Sequence, residues 1–324
     1  MTEPAGIPSQ LIFHIGFNKT ASTWLQGSVF PRLKQVQYLG RGREEVRGLR
    51  RDILRNRPAY QVFGLPPDVW SYRADEVLKS LISNARDNRP GVVSHERMSS
   101  PWRFFGERVK KFRSPDTLPQ SLAVVRDAAH KIGIKRVAVL FFIRRQDTYL
   151  PSFYAERSDR IPHAGQSDFE RQIDRILGSD YSTHGAFLDY ERTVSGLLRV
   201  LPEQDLKVIP FEALGQDADG YVREMGNFIG EDPQELMTRI DTGKKSRKRT
   251  GQQPGTWKLR PVSGAIIRSP KIRRSIGLDS ERNQICLSAE MAEKIMGTYR
   301  DSNRKLVKLC PDIADSLINY GYTG

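Results

Sequence analysis

The segment Arg136-Val137-Ala138-Val139-Leu140-Phe141-Phe142-Ile143 constrains the fold more than any other part of the chain. Beyond its first arginine it has no polar residue to turn toward water, and its β-branched and aromatic content suits a pleated strand. A strand that is apolar at every position must be covered on both faces, which is the habit of parallel sheets in α/β proteins. Shorter segments read the same way: Leu11 to Gly16, Gly91 to His95, and Leu206 to Pro210. Between them lie stretches with helical spacing of apolar residues. These run around Trp24, Leu25, Val29 and Phe30, around Val77, Leu78, Leu81 and Ile82, over 121–132, and along Tyr149, Phe153 and Tyr154. Tyr221 to Ile229, closed by Gly230, and a long segment from Ala289 to Leu309 complete the set. Strands alternating with helices predict a three-layer α/β/α arrangement around a central parallel sheet.

One domain over residues 1–324 is expected, since the chain is 38% hydrophobic and long enough to bury a sizeable core. Loop-rich insertions are expected near 41–75 and 158–185, and a basic loop region at 241–275, broken by Gly and Pro. Basic residues outnumber acidic ones by 52 to 38, a net charge of +14, which favours an anionic partner such as a nucleotide, an acidic sugar or nucleic acid. Cys286 and Cys310 are the only cysteines and lie outside any CxxC or Cys/His cluster. They read as buried thiols, and no structural zinc is expected. No apolar run approaches the roughly 18 residues of a membrane span. The start, Met1 to Gln10, lacks the basic and apolar regions of a secretory signal, so a cytoplasmic protein is expected.

Chemistry first shows in Gly16-Phe17-Asn18-Lys19-Thr20-Ala21-Ser22-Thr23-Trp24, where a strand ends, a polar turn follows and a helix begins. Backbone N–H groups at a helix start, a lysine and three hydroxyls suit a phosphate. The order differs from the nucleotide-triphosphate loop GxxxxGK[ST], because Lys19 comes three positions after Gly16 and no second glycine precedes it. Lys19 to Trp24 resembles the 5′-phosphosulfate loop of the sulfotransferase family, K-[ST]-G-[ST]-T-W, with Ala21 where glycine is usual. Alanine there restricts positive φ.

Arg144 follows the strongest strand, and Ser152 lies further along the next helix. The pair resembles the element with which that family grips the ribose 3′-phosphate. A guanidinium and a hydroxyl suit that task chemically. Arg145 competes for the arginine role, and the spacing favours Arg144. Val208 to Leu214, Asn227 to Gly230, Tyr299 to Leu306 and Asn319 to Tyr322 are similar to later segments of the same family. The cluster Lys244-Lys245-Ser246-Arg247-Lys248-Arg249 falls where relatives carry a basic loop over the 3′-phosphate, which marks Lys244, Lys245 and Arg247 as further cofactor contacts. A solvated charged loop explains the cluster equally well.

Ser94-His95-Glu96-Arg97-Met98-Ser99 closes the second strand, at the sheet edge where α/β proteins bind ligands. His95 and Glu96 could each serve as a base, but neighbours on an extended strand point to opposite faces. The stretch is similar to the S-x-E-x-L-S pattern of bacterial and carbohydrate-type sulfotransferases, which favours Glu96. The resemblance implies a P-loop-NTPase-like sulfotransferase fold and 3′-phosphoadenosine-5′-phosphosulfate as donor. It also implies 3′,5′-adenosine bisphosphate as product, no required metal, and an acceptor that is a small molecule or saccharide. Lys19 would stabilise the leaving group and Glu96 would take the proton, with Glu96 expected beside Lys19 and His95 turned away. Two other readings stand beside it: a small-molecule P-loop kinase, which would need metal ligands, and a basic nucleic-acid-binding protein, for which no recognisable module is present.

Overall fold

A computed structural model describes residues 6–40, 67–96, 98–99, 105, 114–161, 163–241, 254–260 and 284–324. Five parallel strands form the central sheet, in the order β2-β3-β1-β4-β5. They are β1 (Gln10–Gly16), β2 (Gln37–Tyr38), β3 (Gly91–Ser94), β4 (Arg136–Ile143) and β5 (Leu206–Pro210). β1 lies at the centre, pairing Phe13 with Val93 on one side and with Val139 on the other. A two-stranded antiparallel ribbon, β6 (Thr256–Lys258) with β7 (Gln284–Cys286), stands apart from this sheet.

Strand alternation divides the core into two. Leu11, Phe13, Ile15, Val137, Val139 and Phe141 face one apolar cluster. Ile12, Ala138, Leu140, Phe142 and Ile209 face the other. This is why β4 shows no polar alternation: both of its faces are covered. The first face carries α2 (Pro67–Leu81), α3 (Thr117–Lys131), α4 (Gln146–Arg157), α5 (Gln166–Leu177), α6 (Tyr190–Leu198) and α10 (Ala289–Leu309). The second carries α1 (Ser22–Trp24), with the helical turns that extend it to Arg32, then α7 (Ala213–Gln216), α8 (Ala218–Ile229) and α9 (Pro233–Arg239). α11 (Ala314–Asn319) follows α10. The expected three layers are therefore present. Gly230 ends α8 at φ 84, the left-handed cap that glycine adopts without a Cβ penalty.

One expectation is corrected. Residues 166–177, inside the stretch read as loop-rich, form the twelve-residue helix α5. Phe169, Ile173 and Ile176 recur at helical spacing and are fully buried. The Pro, Gly, His and Ser residues flanking this helix obscured that period. Likewise α2 begins at Pro67, within the other expected insertion, whose residues 41–66 lie outside the described ones. Of the two thiols only Cys310 is buried, and burial pushes it up to about 12, whereas Cys286 is exposed. Among the described residues no helix is long and apolar enough to cross a membrane.

The chain's end is pinned beneath the sheet's carboxyl edge. Asn303 of α10, fully buried, accepts from Gln146 Nε2 at 3.0 Å and donates to the Tyr322 carbonyl at 2.8 Å. Tyr322 in turn donates to Glu212, just after β5. These buried polar groups are mutually satisfied, so they tie α10 and the C-terminal residues to the β4–α4 junction without a desolvation penalty left open.

Candidate active site

The site gathers at the carboxyl ends of β1, β3 and β4. β1 ends at Gly16, where an added Cβ would sit 3.2 Å from Phe142 Cβ and 3.3 Å from its carbonyl oxygen. A side chain here would press on β4, which would have to give by a few tenths of an ångström, so glycine suits this close exit from the strand. Phe17 then plunges into the core against Phe141, Tyr149 and Tyr190, anchoring the loop. Lys19 and Ala21 both have positive φ, 72 and 62. For residues with a Cβ this costs roughly 1–2 kcal/mol each. Ala21 thus adopts the conformation its side chain was expected to resist. A backbone with residues in the left-handed region next to helical ones forms the N–H concavities that bind anions.

The three loop hydroxyls are not equivalent. Thr20, fully buried, donates to the Phe17 carbonyl at 2.6 Å, so its hydroxyl braces the loop. Ser22 is buried and Thr23 exposed. Trp24 is only 7% exposed and packs in the second core with Leu25, Val29 and Phe30. Asn18 Oδ1 is buried with no hydrogen-bond partner.

The second motif meets the first directly. Arg144 donates through Nη1 to the Lys19 carbonyl at 2.9 Å and through Nε to Thr148 at 3.1 Å, and its guanidinium lies over the Phe211 ring. Its own carbonyl accepts from the buried Tyr190 hydroxyl. Arg145, the rival, is committed elsewhere: it pairs with Asp147 and donates to the Tyr320 carbonyl, while its backbone N–H bonds Glu212. On α4, Thr148, Ser152 and Glu156 recur every four residues and so share one stripe of the helix. Thr148 touches Arg144, and Glu156 Oε2 lies 3.0 Å from Lys19 Nζ. Ser152, between them, is only 5% exposed.

The end of β3 carries a polar chain. His14 Nδ1 hydrogen-bonds Ser94 Oγ at 2.6 Å. Gln26 Nε2 donates to Ser94 Oγ at 3.0 Å and to Glu96 Oε2 at 3.3 Å. His14 is fully buried between the Phe30 and Phe142 rings, and its Nε2 has no partner. Burial, aided by the charge of nearby His95, pushes its imidazole from 6.5 down to about 3, so it stays neutral. His95 and Glu96 are each half-buried, and the His95 N–H extends the ladder to the His14 carbonyl. Arg97 and the cluster with Lys244, Lys245 and Arg247 lie outside the described residues.

No protein-family model matches the chain, and no curated protein does. Several solved structures are similar to it. A sulfotransferase from Alicyclobacillus acidocaldarius is 13% identical with a TM-score of 0.47, over 93% of this chain and 96% of that one. A mouse sulfotransferase complexed with PAP is 10% identical with a TM-score of 0.48, over 98% and 91%. The sulfotransferase domain from the curacin biosynthetic pathway is 12% identical with a TM-score of 0.34, over 85% and 99%. Each of these is a sulfotransferase.

Three participants are not marked by any motif. Glu156 and Thr148 fall on the Ser152 stripe, so a helical reading of Gln146 to Arg157 carries their signal in the four-residue spacing. Gln26 has none, because a glutamine at the start of a helix has no preferred partner in the sequence. The expected neighbour of Lys19 was Glu96. The ion pair seen there is with Glu156, because α4 runs back over the loop and places its last turn beside it.

Proposed function

We propose that the chain is a sulfotransferase that uses 3′-phosphoadenosine-5′-phosphosulfate as donor and moves its sulfuryl group to a hydroxyl or amine of a polar acceptor, a saccharide being the class favoured by the basic surface. The observation that carries this reading is the hydrogen bond from Arg144 to the Lys19 carbonyl, which makes one cationic site from two motifs far apart in sequence. A 5′-phosphosulfate would lie on the loop at Lys19, with Arg144 and Ser152 serving the 3′-phosphate. An acceptor hydroxyl attacks sulfur in line. A new S–O bond forms as the S–O bond to the 5′-phosphate breaks, and the electron pair stays on the phosphate oxygen. Lys19 stabilises the charge developing on that oxygen. The acceptor's proton passes to Glu96, held by Gln26.

Calorimetric titration without added metal tests the donor half. The 3′,5′-bisphosphate should bind more tightly than AMP by about 2–4 kcal/mol, the value of charge-assisted bonds to the additional phosphate. Arg144→Ala should remove most of that difference. Equal affinity for the two nucleotides would exclude the Arg144 assignment.

A further inference from the structure

Glu156 is a carboxylate set against the lysine that the donor needs. Its Oε2 lies 3.0 Å from Lys19 Nζ, with the two side chains 28% and 23% exposed, so the pair is open to an incoming ligand. Its other oxygen, Oε1, lies 3.7 Å from the Arg260 guanidinium. Arg260 is fixed by its backbone, whose N–H donates to Ser158 Oγ at 2.6 Å, while the Ser158 hydroxyl donates to the Ala155 carbonyl at 3.0 Å within the end of α4. The carboxylate therefore bridges two cations, one on the phosphate loop and one held one turn beyond α4.

One ammonium does not serve a carboxylate at 3.0 Å and a phosphosulfate equally, and a carboxylate left beside an arriving anion repels it. Resting on the donor site proposed above, we propose that Glu156 is a positioning residue for Lys19 that sets how strongly the loop takes up its anionic ligand. It holds the ammonium in the empty site, yields it to the nucleotide's 5′ end, and takes it back as product leaves. Arg260 keeps the carboxylate paired in the meantime, so Lys19 is released without stranding a charge.

The test is a double-mutant cycle read by calorimetric titration with 3′,5′-adenosine bisphosphate, using wild type, E156Q, K19A and the K19A/E156Q double variant. E156Q removes the competing charge while keeping shape, and should bind the bisphosphate about 2- to 5-fold more tightly, the worth of an ion pair of this exposure. E156A is the second neutral variant and should shift affinity in the same direction. In the K19A background the gain should shrink to the part that comes from direct repulsion between carboxylate and nucleotide, which a merely structural Glu156 has no reason to produce. Wild-type or weaker affinity in folded E156Q and E156A overturns the proposal, and so does an undiminished gain when Lys19 is absent. Should wild type itself bind no bisphosphate, the donor reading fails and this inference with it. A wild type that binds, beside neutral variants that bind no better, sinks this inference alone.

Discussion

The α4 and β3 sides of the site treat their carboxylates differently. On the α4 side, Glu156 is matched by cations, Lys19 at 3.0 Å and Arg260 at 3.7 Å. On the β3 side, Glu96 receives the neutral amide of Gln26, itself braced by Ser94 and the neutral His14. A carboxylate set between two cations is tied up in holding them, whereas one that accepts from a neutral amide is oriented without being tied to a charge. The contrast teaches that two carboxylates near one loop can divide by their partners, one paired to a lysine and the other, on the function proposed above, placed to take a proton.

The largest expected effect lies on the β3 side. Glu96→Gln should lower turnover by about 10²- to 10⁴-fold with bisphosphate affinity little changed, the range of a general-base contribution. His95→Ala should cost far less. A Glu96→Gln enzyme that keeps near-normal turnover would erase the distinction between the two sides.

On the α4 side, Lys19→Ala should cost about 3–4 kcal/mol of transition-state stabilisation, or roughly 10²- to 10³-fold in turnover, with an unaltered circular dichroism spectrum. Retention of more than about a tenth of wild-type turnover is incompatible with charge stabilisation of that size.

The smallest effect concerns stability and sharpens the neutral character of the β3 side. In the unfolded chain a histidine takes up its proton near pH 6.5, whereas folded His14 does so only near 3. Stability is therefore complete above pH 6.5 and declines as pH falls toward 3, by up to about 1.4 kcal/mol per unit. Urea unfolding at pH 7 and pH 5 should show a loss of about 2 kcal/mol. His14→Asn, which does not titrate, should be less stable throughout but lose much less between these two pH values. An equal loss in the variant would place the acid sensitivity on other groups.

Much of this molecule was legible before any coordinates. The wholly apolar run from Val137 to Ile143 demanded a strand covered on both faces, and it forms β4 with both faces buried. The turn after Gly16 and the arginine after β4 stood out because they fall at the carboxyl ends of strands, where α/β proteins bind anions. Helix α5 was missed although Phe169, Ile173 and Ile176 carry its period, since turn-forming residues on both sides outweighed a short signal.

Local sequence determined four of the five strands of the central sheet and several of the helices, and it placed the candidate anion-binding groups at two strand ends. Backbone conformation and burial are settled within a few residues of each position, so periodicity and turn residues reveal them. Tertiary structure alone decided the partners. Gln26 meets Glu96 across 70 positions, Arg144 meets the Lys19 carbonyl across 125, and the Lys19 ammonium reaches Glu156 instead of Glu96. Such pairings depend on the order of strands in the sheet and on where α4 crosses the loop. A side chain's charge and reach limit its partners, but only the packing of distant elements selects one of them.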